Sequence, residues 1–290
     1  MTKTWLSLTS GPEPTVAADA GYADAPPRKG FFTDTSVCIG CKACEVACKE
    51  WNDVPSTELT WTGMSYDNTQ GLGADTWRHV AFIEKSVPPA TEHAGGGTTG
   101  SREGVQWLMS SDVCKHCTHA ACLDVCPTGA LVRTEFGTVV VQQDVCNGCG
   151  YCVPACPYGV IDQRKEDGRV FKCTLCYDRI GHDQTPACAK ACPTESIQYG
   201  DLDELRVRAA DRLAALQSQG VSDARLYGES PDDGVGGAGA LFLLLDEPET
   251  YGLPPDPVVT TRDLGRMWRD VGIAAAAIAV GVAGVFGGRR

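Results

Sequence analysis

The chain has 290 residues, 43% hydrophobic and 21% charged, a globular balance with enough length for one large domain or two small ones. Its formal net charge of −12 makes it a poor ligand for nucleic acid, whose binding depends on neutralising phosphates, and suits it better to basic protein surfaces. The unusual counts are 16 Cys, 33 Gly and 17 Pro, which imply many turns and close backbone approaches.

Residues 1–30, rich in Ala, Pro and Thr without periodicity, read as an extended or disordered N-terminal arm. Residues 1–8 lack the basic start and apolar run of a secretory signal. The first cysteine group follows at Cys38, Cys41, Cys44 and Cys48. Leu59-Thr60-Trp61-Thr62 and residues 77–83 alternate in part and predict strands. Pro88-Pro89 and Gly95-Gly96-Gly97 mark residues 88–104 as a surface loop with little capacity to pack. Groups two and three lie between Cys114 and Cys156, and residues 129–141 predict two short strands joined by a turn at Phe136-Gly137. Group four spans Cys173 to Cys192.

Beyond Gly200, Leu202, Leu205, Ala209, Leu213 and Leu216 recur at helical spacing, which predicts a surface helix ending near Gly220. Residues 241–245 form a short apolar run that reads as a buried strand, and Pro248, Pro254, Pro255 and Pro257 mark irregular chain. Residues 271–288 carry no charge. As a helix they span about 27 Å, close to the lower limit for crossing a bilayer. Arg262, Arg266 and Arg269 flank the run on one side and Arg289-Arg290 on the other, so it predicts a single membrane anchor with open orientation. The alternative is an Ala-rich helix buried against a partner.

Group one has the spacing C-x2-C-x2-C-x3-C, and group three repeats it at Cys146, Cys149, Cys152 and Cys156, followed by Pro157. Group two (Cys114, Cys117, Cys122, Cys126, then Pro127) and group four (Cys173, Cys176, Cys188, Cys192, then Pro193) lengthen the middle gap and keep both ends. Sulfurs this close do not pair as ordinary disulfides, and tetrahedral zinc sites use isolated pairs. The run is that of bacterial ferredoxins, in which three sulfurs wrap one [4Fe–4S] cluster and the fourth ligates its neighbour. Four groups therefore predict four [4Fe–4S] clusters with no cysteine left over.

Groups two and three are nearest in sequence, so Cys114, Cys117 and Cys122 share a cluster with Cys156, and Cys146, Cys149 and Cys152 share one with Cys126. Groups one and four pair around them: Cys38, Cys41 and Cys44 with Cys192, and Cys173, Cys176 and Cys188 with Cys48. The expected fold class is α+β, two interleaved ferredoxin-like units. Residues 108–163 form the inner unit, and residues 31–107 with 164–200 form the outer one. Residues 201–264 make a partner-docking extension and residues 265–290 the membrane anchor.

Gly40, Gly148 and Gly150 let backbone N–H groups approach sulfur. Lys42, Lys115 and Lys172 either raise a cluster's potential by their charge or lie exposed and solvate the surface. His116 and His119 read as local packing or capping groups, and Trp51-Asn52-Asp53 as a shield over the cluster of Cys48 or as plain core. The sequence has no dinucleotide fingerprint, P-loop, serine elbow or spare cysteine nucleophile, so no catalytic residue is expected in it.

All four groups, with Cys41-Lys42-Ala43-Cys44, Ala47-Cys48-Lys49-Glu50-Trp51-Asn52-Asp53, Leu59-Thr60-Trp61-Thr62, Cys114-Lys115-His116-Cys117 and Lys172-Cys173-Thr174-Leu175-Cys176-Tyr177-Asp178-Arg179, carry a resemblance. They resemble the four-cluster iron–sulfur subunits of membrane molybdenum and tungsten oxidoreductases. The cysteine pattern is shared with nitrate, sulfoxide and polysulfide reductase subunits and with some hydrogenase subunits. The tail, with Ala224-Arg225-Leu226-Tyr227, Gly236-Gly237, Tyr251-Gly252-Leu253-Pro254 and the terminal apolar helix, narrows the resemblance to the beta subunit of formate dehydrogenase. Two features depart from it: loop 88–104 is longer than that family needs, and Cys122 stands where nitrate reductase subunits carry tryptophan and a three-iron cluster.

The resemblance implies a non-catalytic electron-transfer subunit of the cytoplasmic membrane, in formate respiration. Its partners would be a catalytic subunit holding a molybdenum or tungsten pterin cofactor and a membrane cytochrome b that reduces quinone. In that family the cluster domain often lies on the outer side. An equivalent subunit of another reductase or a hydrogenase, and a soluble polyferredoxin, are the competing readings.

Overall fold

The computed structural model describes residues 16–56, 61, 63, 67, 69–86 and 104–287. Loop 88–104, apart from Gly104, and the Leu59-Thr60-Trp61-Thr62 segment, apart from an exposed Trp61, lie outside the described residues. A helical turn, α1 (Val16–Asp19), precedes β1 (Lys29–Asp34), α2 (Ala43–Trp51), β2 (Arg78–Ser86) and β3 (Val105–Val113). The cysteine-rich middle follows as α3 (Ala121–Asp124), β4 (Leu131–Arg133), β5 (Val139–Val141), α4 (Cys152–Ala155), β6 (Asp162–Gln163), β7 (Val170–Phe171), α5 (Tyr177–Ile180) and α6 (Ala187–Lys190). The last third is β8 (Ile197–Asp201), α7 (Leu202–Ser218), β9 (Arg225–Tyr227), β10 (Ala240–Leu244) and α8 (Leu264–Gly287).

The largest sheet has the order β8-β1-β10-β9. Its two central strands, β1 and β10, run parallel with Phe32 opposite Leu241. β8 and β9 flank them antiparallel, pairing Phe31 with Tyr199 and Phe242 with Tyr227. Side chains alternate between the two faces. Phe31, Ala240, Phe242 and Leu244 enter the core that holds Cys44, Cys114, Cys173 and Cys188. Phe32, Leu241 and Leu243 face Leu202, Leu205, Ala209 and Leu216 of α7. Each of these buried leucines is worth about 1.5–3 kcal/mol relative to an exposed one.

β10 bears out the buried strand expected over residues 241–245, and α7 the helix after Gly200. The sheet that unites them has no signature in the sequence. β1 lies at the edge of the expected N-terminal arm, yet it is a central strand, and within that arm Val16 and Ala17 are buried in a helical turn. The segment 201–264 adds β9 and β10 to the same sheet as β1 and β8, and β10 packs into the core that holds cysteines.

The expected strand at residues 77–83 is β2, and it gains a partner, β3, that the sequence does not announce. The two pair antiparallel from Arg78 opposite Val113 to Ser86 opposite Val105. Alternation in β3 is broken because Ser110 and Ser111 are both buried. β4 and β5 form the expected hairpin, with Gly137 at positive φ in its turn. α8 is exposed along its whole described length.

Candidate functional site

The residue before the second cysteine of each group has a left-handed backbone: Gly40 (φ 65°), His116 (φ 44°), Gly148 (φ 71°) and Leu175 (φ 58°). This conformation folds the C-x2-C turn back so that its amide faces the first sulfur. In group four the Leu175 N–H donates to Cys173 Sγ at 3.3 Å. The Gly40 amide acts likewise on Cys38. Such backbone donors form a concave nest for an anion. Glycine takes this conformation freely, whereas Leu175 and His116 hold it against a steric cost of about 1–2 kcal/mol each. Leu175 is wholly buried, and the ring Nδ1 of His116 accepts the Val139 N–H at 3.1 Å, so packing locks both. Gly148 has a second reason to be glycine: a Cβ there would lie 2.4 Å from the carbonyl oxygen of Gly168.

The sixteen cysteines are all free thiols, and tertiary folding brings cysteines of different groups together. Cys38, Cys41, Cys44 and Cys192 line one open-sided hollow. Cys126, Cys146, Cys149 and Cys152 line another. Burial raises the Cys48 thiol pKa, and neighbouring Cys173, Cys188 and Cys176 add to it. Burial likewise pushes Cys117 well up, with Cys114, Cys122 and Cys156 as its neighbours. The groups expected to exchange a ligand are thus neighbours in space. α2, carrying Cys44 and Cys48, packs against α6, carrying Cys188, and α3 packs against α4.

Quartets of thiols, buried or half-buried apart from the exposed Cys41 and Cys149, with amide donors beside them, fit [4Fe–4S] clusters. Among the described residues, no three Cys, His, Asp or Glu side chains converge closely enough to share a single metal ion.

Burial of the lysines was not legible in the sequence. Lys115 and Lys172 are only 1% and 2% exposed, not surface groups. Lys172 Nζ donates to the carbonyls of Val139 and Cys173, and Lys115 Nζ to Val113 O at 2.9 Å and to Asp112. Lys42 is half-buried and pairs with Asp67 at 2.8 Å and Glu45 at 3.2 Å. Two arginines outside the cysteine groups add charge beside Cys117. Arg133 donates to Cys117 O and Thr118 O, and Arg28 to His116 O and Thr118 Oγ1. Burial, with Arg133 and Arg206 nearby, pulls the Arg28 pKa down to about 9. Trp51 is not core: it is 46% exposed, with its Nε1 donating to Asp178 and Arg179 stacked 4.1 Å from its ring. His119 is half-buried against Gly236.

Residues 37–130 and residues 105–202 each match the 4Fe-4S dicluster domain family. A formate dehydrogenase iron-sulfur subunit from Haemophilus influenzae is 39% identical, over 92% of this chain and 82% of the relative. The formate dehydrogenase-O iron-sulfur subunit of Escherichia coli is 36% identical, over 93% of this chain and 86% of the relative. A subunit of the anaerobic dimethyl sulfoxide reductase of Escherichia coli is 37% identical over 64% of this chain and 80% of the relative. The formate dehydrogenase relatives thus match a larger share of the chain than the sulfoxide reductase subunit does. With dicluster domains, gathered thiols and similarity along nearly its whole length, the chain belongs to the iron–sulfur subunits of formate dehydrogenase, electron-transfer subunits and not catalytic ones.

Proposed function

We propose that the chain holds four [4Fe–4S] clusters and relays single electrons from a molybdenum or tungsten pterin subunit that oxidises formate to a membrane cytochrome b. The first cluster would be held by Cys38, Cys41, Cys44 and Cys192, and the second by Cys48, Cys173, Cys176 and Cys188. Cys114, Cys117, Cys122 and Cys156 would hold the third, and Cys126, Cys146, Cys149 and Cys152 the fourth. Bound clusters supply one-electron redox chemistry, and the chain's residues hold them in series and out of water. Two interleaved units, residues 108–163 inside residues 31–107 and 164–200, follow from this pairing.

The observation that carries the proposal is that cysteines of successive quartets lie near enough to bias the ionisation of a common neighbour or of one another. Cys44 and Cys188 both act on Arg78, Cys114 acts on Cys173, and Cys152 acts on Cys122, so successive quartets adjoin. The two ends of this series reach the surface at Cys41 and Cys149. Ile39 and Val46 stand exposed near Cys41, and Val145 and Tyr151 near Cys149, as apolar ground for partner subunits.

The anchor supports a direction. Thr261, just before α8, donates to Asp124 Oδ2 at 2.5 Å, and Asp124 lies two residues before Cys126. The fourth quartet is therefore the natural exit toward the membrane. α8 is long and apolar enough to cross a bilayer, with a mean hydropathy of 1.7.

Anaerobic purification of the membrane complex tests the proposal. It expects about sixteen iron ions per chain, four for each cluster, with molybdenum or tungsten on a copurifying subunit and formate bleaching the visible absorbance. Zinc in place of iron, or a catalytic partner that reduces sulfoxide instead of oxidising formate, would overturn it.

A further inference from the structure

Arg78 opens β2 and is 2% exposed, among the largest fully buried side chains of the protein. Its guanidinium carbon lies 4.9 Å from the ring centre of Phe31, itself wholly buried in the central strand β1. Nη1 donates to Ser111 Oγ at 3.0 Å and to Ser111 O at 3.3 Å. Nε and Nη2 are buried and have no hydrogen-bond partner among the described residues.

A guanidinium with unmet donors in a protein interior costs several kcal/mol unless an anion faces it. The groups that act on this one are sulfurs. Burial pulls the Arg78 pKa down, but Cys188, Cys44, Cys173 and Cys48 outweigh it and hold the group above its ordinary value. Those four cysteines come from two quartets: Cys44 from the first, and Cys48, Cys173 and Cys188 from the second. Ser111 reinforces the link, because its Oγ also lies 3.3 Å from Cys44 Sγ. The unmet donors thus belong to a cation wedged between two thiol quartets.

We propose that Arg78 is a shared counter-charge for the first and second [4Fe–4S] clusters, with its Nε–H and Nη2–H donating to their sulfurs and raising the reduction potentials of both. The inference rests on the ligand sets proposed above. Reduction adds one negative charge to a cluster, and a fixed cation in a low-dielectric interior favours that form. One residue touching both clusters moves two potentials together, which keeps the step between them nearly level while easing entry of the first electron. Arg78 is a positioning and tuning residue and makes no covalent contact with iron.

The test uses the whole complex carrying Arg78→Gln or Arg78→Lys, with cluster potentials read by redox titration under electron paramagnetic resonance and iron counted per chain. In the Gln variant the reduced-to-oxidised ratio of two clusters, at a fixed potential, is expected to fall about tenfold, which is about 59 mV for one electron. The other two clusters should stay within about threefold, and the Lys variant should shift the same pair less than Gln does. Four unmoved potentials, a shift confined to one cluster, or an equal shift in the Lys variant would overturn the proposal. If the Gln variant loses iron, selective loss of that pair with retention in the Lys variant supports the shared counter-charge, and equal loss in both variants rules it out. Wild-type complex already short of iron would instead remove the four-cluster reading, and this proposal with it.

Discussion

The side-chain amide of Asn52 stands 3.8 Å from the sulfur of Cys176 and 3.7 Å from that of Cys48, although Asn52 and Cys176 are 124 residues apart. The same nitrogen donates to the Cys48 carbonyl at 2.9 Å, which fixes the amide over both sulfurs. Hydrogen bonds to ligand sulfur stabilise the reduced, more negative cluster. Asn52→Leu should therefore lower one cluster potential by about 20–40 mV, the share of a charged hydrogen bond that differs between redox states. Asn52→Asp, which adds a negative charge, should lower it further. A redox titration in which both variants match the wild type would show that the amide only caps α2.

Glu195 occupies a backbone conformation that glycine fills elsewhere. Three residues after the last cysteine, group two has Gly129 (φ 68°), group three has Gly159 (φ 62°) and group four has Glu195 (φ 52°). Glu195 is exposed, and among the described residues no side-chain hydrogen bond holds it there. Glu195→Gly should remove the left-handed penalty at some cost in unfolded-chain entropy, a net gain of about 0.5–1 kcal/mol. Thermal unfolding of the loaded protein measures this, and a lower midpoint in the variant would count against it.

These two positions show what the sequence did and did not reveal. Cysteine spacing was legible because ligation sets it locally, residue by residue. The left-handed turns were legible only where glycine marks them, at Gly40 and Gly148; at His116 and Leu175 the same geometry is enforced by burial, which leaves no local trace. Lys115 and Lys172 look like surface residues, because the carbonyls and rings that receive them arrive from distant parts of the chain: Val139 for Lys172, Tyr158 and Phe242 for Lys115. β1 is hidden for a related reason. Its buried stretch, Phe31-Phe32-Thr33-Asp34, is too short to show a period, and its partner strand β10 lies some two hundred residues away, with Phe32 opposite Leu241.

Iron loading should depend on pH in the opposite sense to the stability of the metal-free chain. Burial pushes the thiols of Cys122 and Cys173 up to about 12 and that of Cys152 up to about 11, from an ordinary value of 9.0. These thiols are neutral in the folded, metal-free protein at neutral pH. Their contribution to that fold is fully present below pH 9 and is lost as the pH rises through the folded values, because unfolding then releases protons. Cluster ligation needs thiolates and expels those protons, so loading weakens as the pH falls, by about tenfold per pH unit for each proton released. Denaturation of metal-free protein between pH 7 and 11, alongside iron retention between pH 8 and 5, checks both signs. Metal-free protein that gains stability above pH 9 would contradict the first.

The terminal helix should be dispensable for the fold and necessary for the membrane. α8 begins seven residues before the uncharged run, so its first turns carry Arg266 and Arg269, paired with Asp263 and Asp270, at the boundary where charged side chains meet water. The span Leu264–Phe286 has 23 residues, about 35 Å of helix against a hydrocarbon core of about 30 Å. None of that span is buried in the protein, and Trp268 and Phe286 are 72% and 71% exposed. The contacts that tie the preceding chain down, Thr261 to Asp124 and Arg262 to the Asp233 carbonyl, lie before the helix. A chain ending at Asp263 should keep its iron and unfold within about 0.5 kcal/mol of the full-length protein, as expected when no packed surface is removed. It should also move from the membrane fraction to the soluble one. Loss of clusters on truncation would mean that α8 folds against the cluster domain, and full-length protein that washes off membranes in carbonate would mean that it does not span them.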